Sequence, residues 1–190
     1  MEASEAVEQA NKAGEAAEAR ERFVRRTAIL VGVLAAILAV AAIAGNHAGE
    51  EVILNQEKAT DTFNEYQADR LKMRMDTQNA ATLIVITAGS ANQAAAATQA
   101  AEWRKEAKDH YGPKVKELLQ KANDYQSERD LAEAKHKALE FAEAVLQIGI
   151  VLATVAIVAR VVALTYVAAG LGLVGLLLLL DGFTLAVRFP

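Results

Sequence analysis

Three uncharged apolar runs decide what this chain can be. Residues 27–44 read TAILVGVLAAILAVAAIA, eighteen in a row without a charge, and residues 161–180 supply twenty more that end in five leucines. Between them AVLQIGIVLATVAIVA, residues 144–159, reaches spanning length when its helix starts near Leu139 and carries Glu140 and Glu143 at the interfacial end. A hydrocarbon core of about 30 Å takes about 20 helical residues at about 1.5 Å each. Arg160 alone separates the last two runs, and a 190-residue chain has no surface to cover so long an apolar stretch in water. Three crossings are expected; the alternative is one crossing and a hairpin that enters without crossing.

The remaining stretches are rich in Ala, Glu, Lys, Gln and Asn, with only two prolines to interrupt them, so the fold class is all-α. The reading is an integral membrane protein with three transmembrane helices and a long extramembrane helical hairpin, coiled-coil-like, inserted between spans 1 and 2. Its parts are an amphipathic N-terminal helix (1–26), span 1 (27–44), the insert (45–138), span 2 (139–159), span 3 (161–180) and a short tail (181–190). Zero cysteines exclude disulfides, thiolate metal sites and a cysteine nucleophile. A net charge of −4 without basic clustering speaks against nucleic acid as a partner.

Arg20, Arg22, Arg25 and Arg26 precede span 1 and Glu50 and Glu51 follow it, which by the positive-inside rule puts the N-terminus in the cytoplasm and residues 45–138 on the periplasmic side of a bacterial inner membrane. Lys135 and Lys137 oppose that orientation, against Arg160 in its favour. Ala42-Ile43-Ala44 resembles a signal-peptidase site, but the preceding region is long and acidic, so an uncleaved signal anchor is expected.

Before span 1, Ala3, Ala6, Ala10, Ala13, Ala17 and Val24 fall on one narrow stripe, either frayed or packed closely on a neighbour. In the insert, Val52, Ala59, Phe63, Tyr66 and Met73 line one arm, and Val115, Leu118, Ala122, Tyr125, Ala132 and Leu139 the other; Gln56, Arg70, Arg129 and His136 interrupt the seams. Gly112-Pro113 is read as a turn between helices 50–110 and 113–137. Arms so unequal require a further break, placed near Gly89-Ser90, giving at least three helices outside the membrane. The apolar run ATLIVITA (81–88) is too short to span and serves as core or as a contact surface.

Small residues give spans smooth faces that let membrane helices approach: Gly32 and Ala36 in the first, Ala168, Gly172 and Gly175 in the third, the last two within a GxGxxG that has no strand before it. These positions are expected to pack helices within or between chains. Phe63, Tyr66, Leu83, Ile84, Ile86 and Tyr125 are the candidate interaction surface. Gln147, Glu143 and Glu140 are the intramembrane polar candidates, for an interhelical hydrogen bond or an ion path. His47, His110 and His136 lack ligand spacing, so no metal, cofactor or catalytic residue is expected.

Gly45-Asn46-His47 with Glu50, then Asn55-Gln56, Ala59, Asp61, Phe63 and Tyr66-Gln67-Ala68, then His136, Phe141-Ala142 and Ala144-Val145-Leu146-Gln147-Ile148 form a pattern. It resembles the bacterial family labelled domain of unknown function 4337 over roughly residues 27–183. The resemblance implies an N-terminal helix, one span, a long helical polar segment and a closing pair of spans. The chain departs from that family at Phe63, where Trp is usual, at Asp69, where a basic residue is usual, and at Arg160-Val161, where the family's turn is more basic and aromatic. The family has no established activity, so no catalytic residue follows.

The function expected from these features is a non-enzymatic structural component: a homo-oligomer in membrane lipid, or an accessory subunit of a larger membrane complex. The alternative is an oligomeric channel or transporter with its pore at the oligomer axis, lined by Gln147, Glu140 and Glu143.

Overall fold

The computed structural model describes residues 2–184, and side chains from Glu8 onward except Ala10. It is helical throughout: α1 (Glu2–Ile86), α2 (Gln93–Glu106), a π-helical segment (Ala107–Tyr111), α3 (Gly112–Ala159) and α4 (Val162–Thr184). Three of these are long and apolar enough to cross a membrane, over Asn11–Ile86, Gln93–Ala159 and Val162–Thr184. The chain divides into two compact units, residues 1–49 with 133–190, and residues 50–132.

In the first unit Leu34, Ala41, Ala48, Leu139, Ala142, Leu146 and Leu179 form the core, with Leu30, Ile37 and Ile150 packed against it. The buried positions of α4, Ala168, Gly172, Gly175, Leu179 and Gly182, recur at steps of four and three, the spacing of a single helix face. Glycines on that face receive leucines. A Cβ on Gly175 would lie 2.6 Å from Leu146 Cγ, one on Gly182 would lie 2.8 Å from Leu139 Cγ, and one on Gly172 would collide with Leu34. The third span thus lies flush against α1 and α3 of its own chain.

Between α3 and α4 the chain reverses at Arg160 and Val161. Arg160 takes a positive φ of 58°, the left-handed helix ending usually given to glycine, and Val161 N–H reaches back to Ala156 O at 3.2 Å. At the same end of the unit Thr27, fully buried, donates to Phe23 O at 3.0 Å. With its one proton so committed, it accepts from Thr165 Oγ1 at 3.3 Å. That pair ties the start of the first span to the first turn of α4.

The second unit is a hairpin. α1 ends at Ile86, and Gly89, at φ 74°, supplies the positive φ that the reversal requires. Thr87 and Ser90 hydroxyls take up the Leu83 and Thr87 carbonyls, and Gln93 Oε1 accepts from Gly89 N–H at 3.0 Å. The break expected near Gly89-Ser90 is there, and the arms it creates, 50–86 and 93–132, are nearly equal in length. The sequence expectation fails at Gly112-Pro113. No turn forms; the helix widens into a π segment in which Gly112 N–H donates to Ala107 O, five residues back. The widening accommodates Pro113, which has no N–H to give, and inserts one residue into the buried stripe, carrying it from Ala100 and Ala107 to Leu118 and Ala122.

The N-terminal helix, first span and first arm are one helix, and the second arm is fused to the second span, so no chain break marks where a span ends. Of the alanine stripe before span 1, the side chains of Ala3, Ala6 and Ala10 lie outside the described residues, while Ala13 and Ala17 are exposed and Val24 half-buried.

Leu146 is fully buried and cannot swing away from Gly175. Gly175→Ala should therefore lower stability in detergent by about 1–3 kcal/mol through overpacking. Gly170→Ala, whose Cβ meets nothing within 4 Å, should be neutral or stabilising. Thermal melting followed by circular dichroism compares the two.

Candidate functional site

In the first unit, polar groups gather where α3 meets the end of the first span. His136 Nδ1 lies 2.9 Å from Gly45 O, beyond the α-helical register of that carbonyl, and its Nε2 lies 3.3 Å from Glu140 Oε1. The imidazole fits because Gly45 and Gly49, one turn apart on α1, present no side chains. A Cβ on Gly49 would stand 3.2 Å from His136 Cε1, and one on Gly45 would stand 2.9 Å from Glu143 Oε1. Residues distant in sequence but prominent in the pattern of Gly45, His136 and the start of the second span are thus neighbours in space.

The intramembrane polar candidates separate. Glu143 is half-buried against Gly45, whereas Glu140 and Gln147, seven apart, both face outward from the protomer. No side-chain hydrogen bond to Gln147 occurs among the described residues. The small-residue candidates separate as well: Ala168, Gly172 and Gly175 are buried inside the protomer, while Gly32 and Ala36 are exposed, a Cβ on Gly32 meeting nothing within 4 Å.

The second unit holds a buried carboxylate that motif reading did not single out as a site. Asp69, with 4% of its side chain exposed, has Oδ2 at 2.8 Å from Lys114 Nζ and Oδ1 at 3.2 Å from Lys72 Nζ. Glu65 Oε1 is 3.0 Å from the same Lys114, and Lys72 sits 5.9 Å from the Tyr111 ring centre at the end of the π segment. Close contact with Lys114 holds the Asp69 carboxyl below its ordinary range, against the opposing effect of burial, and Lys72 adds to the lowering. The Asp69 and Glu65 carboxylates in turn raise Lys114 above the ordinary lysine range. The available signal was positional: Asp69 falls on the buried heptad row that includes Tyr66 and Met73, where an acid needs a cation across the seam.

Of the interaction candidates, Phe63 and Tyr66 stack edge to face at 6.4 Å, Arg70 donates to Tyr66 Oη at 3.2 Å, and Lys58 caps the Tyr125 ring at 5.6 Å. Across the same seam Arg129 Nη1 donates to Gln56 Oε1 at 2.8 Å. Those aromatics are half-buried within the hairpin. Leu83 is half-buried too, whereas Ile84, Val85 and Ile86 leave 37%, 74% and 70% of their surface open beside the reversal.

An all-helical chain with three helices long and apolar enough to cross a bilayer defines a class of small helical proteins suited to a membrane. Within it, the chain belongs to the family described as Domain of unknown function (DUF4337), whose family model matches residues 23–185. No curated protein and no solved structure matches it.

Asp69 supplies a pH test. A carboxyl whose folded pKa is depressed contributes stability above its unfolded value and loses it as pH falls through the folded one. Acidification through the carboxylate range should thus weaken the hairpin. Asp69→Asn should lower the thermal midpoint by about 2–4 °C at neutral pH, a difference that shrinks as acid protonates the wild-type residue. Melting curves of both proteins from pH 7 downward check this.

Proposed function

We propose that this chain is a non-catalytic bacterial inner-membrane protein that self-associates through its spans, acting as an oligomeric scaffold or as an accessory subunit of a larger membrane complex. The observation that carries the reading is Gln147. Its amide lies in the second span, faces outward, and is surrounded on α3 by the exposed apolar Ile148, Val151 and Val155. A lipid-facing amide without a partner is costly, and a neighbouring copy would supply one. The open small-residue face of α1, with Gly32 and Ala36, would allow that neighbour close approach.

The helix that carries the first span holds 85 residues, a rise of about 128 Å against a hydrocarbon thickness of about 30 Å, so most of it must lie outside the bilayer. Residues 50–132 carry the charges of the Asp69 cluster and of the Arg129 contact; they are the segment proposed to stand in the periplasm, with Ile84–Ile86 as its contact surface. Arg160 lies at the same end of the first unit as Arg20, Arg22, Arg25 and Arg26, since Thr27 bonds Thr165. One strongly basic end supports a cytoplasmic N-terminus.

A second reading, a channel at the oligomer axis, draws on the outward row of Glu140 and Gln147. Cysteine placed at Gln147 in this cysteine-free chain separates the two: water-accessible labelling from both sides supports a pore, and protection supports a sealed contact.

Gln147→Leu should weaken association about threefold per contact and Gly32→Leu should weaken it further, with the protomer's melting unchanged in each. Light scattering in mild detergent measures the particle mass; a wild-type particle with the mass of one chain would sink the proposal.

A further inference from the structure

At the basic end of the first unit, α1 and α4 diverge above the Thr27–Thr165 bond and leave a groove of about 590 Å³. Arg22 and Arg26, one turn apart on α1, stand on one wall with Phe23; Val162, Thr165 and Tyr166 of α4's first turns stand on the other. Arg26 makes no ion pair among the described residues, and Arg22 has only an exposed contact to Glu18 at 3.9 Å. The two cations are therefore available to a ligand, and the start of α4 adds its own positive end.

Beyond the groove, the faces of α1 and α4 that lead away from it are apolar. Ile29 and Val33 continue the Arg22–Arg26 face of α1 at helical spacing and are 62% and 51% exposed; on α4, Val162, Tyr166 and Leu173 are 50%, 74% and 65% exposed. Two guanidiniums above an open apolar track, flanked by an aromatic ring at the interface, match an anionic phosphate with hydrocarbon attached.

We infer that this groove binds the phosphate headgroup of an anionic glycerophospholipid, Arg22 and Arg26 donating to the phosphate oxygens, Thr165 standing beside them, and an acyl chain lying along Ile29, Val33 and Leu173. A free phosphate offers the same charge but leaves the apolar track empty, so the lipid is the assigned ligand. The headgroup contact of Arg22 and Arg26 stands whether or not the protein self-associates, whereas Ile29 and Val33 share a face of α1 with Gly32 and Ala36, so an acyl chain and a docked neighbour would compete for it.

The test is native mass spectrometry of the full chain released from detergent, titrated with phosphatidylglycerol or phosphatidylcholine. Phosphatidylglycerol is expected to bind at least tenfold tighter, and the Arg22→Gln, Arg26→Gln double variant to lose roughly 25-fold in its affinity, about fivefold for each arginine. Both arginines are solvent-facing, so folding should be retained, which unchanged melting verifies. Arg20→Gln with Arg25→Gln removes the same charge outside the groove and is expected to keep most of the preference. An equal loss there would reduce the effect to general charge and overturn the site, as would an unaltered preference in the groove variant. Displacement of the lipid by glycerol 3-phosphate at comparable concentration would reassign the groove to a soluble phosphate and overturn the lipid assignment.

Discussion

Leucines seated over glycines are the contact on which the three-helix unit depends. In hydrocarbon, helices gain little from hiding apolar surface, because the lipid tails are as apolar as the side chains they would cover. What remains is dispersion, which falls steeply with separation, so the helices hold together only where they touch closely. Gly172, Gly175 and Gly182 give α4 a face without Cβ atoms, and Leu34, Leu146 and Leu139 fill the resulting hollows. The Thr27–Thr165 bond then sets the axial position of α4 against α1. The same close fit at the other end allows His136 and Glu143 to rest over Gly45 and Gly49, where a larger residue on α1 would push the polar groups apart.

The hairpin solves a different problem. Its seam is made largely of alanines, Ala59, Ala80, Ala96, Ala100 and Ala122 among them, each burying little area. Stability must therefore come from length and from partners across the helical seam rather than from a large core. Asp69 with Lys114, Gln56 with Arg129 and Lys58 with Tyr125 set the register between the arms. Each pair has its partner only at one alignment, and sliding either arm by a turn would strand Asp69 without Lys114. A buried charge is poor at adding stability but good at excluding alternatives, and a seam of interchangeable alanines needs such exclusion.

Much of the fold was legible in the sequence, for physical reasons that can be named. Spans announce themselves because twenty uncharged residues have few other uses, and the reversal near Gly89 followed from arithmetic on helix rise, since an antiparallel return must match its outgoing arm. Pro113 misled because a proline is a helix breaker only while the helix keeps its α register; one π turn removes the conflict, and no local residue advertises it. Whether Gly172 and Gly175 pack inside or between chains was undetermined from spacing alone, because a smooth face does not name its partner; Leu34 and Leu146 do. Asp69 was hidden for the opposite reason: its significance depends on Lys114, forty-five residues away, and only the heptad row connects them.

The outward surfaces extend this reasoning. Once Gly172, Gly175 and Gly182 are committed within the protomer, the open glycine in the apolar run 27–44 is Gly32, and the open amide in the apolar run 144–159 is Gln147. A protein that met only lipid would gain nothing from either: a leucine at position 32 would offer the tails more contact, and a leucine at 147 would spare the desolvation of an amide. Their presence outside a well-fitted core is a departure from the local rule that apolar bulk faces lipid. Under the proposed self-association such departures are where a second surface would belong, and the two here share a chemistry, room for a backbone and a hydrogen bond to offer it, that another helix would satisfy and a lipid tail would not.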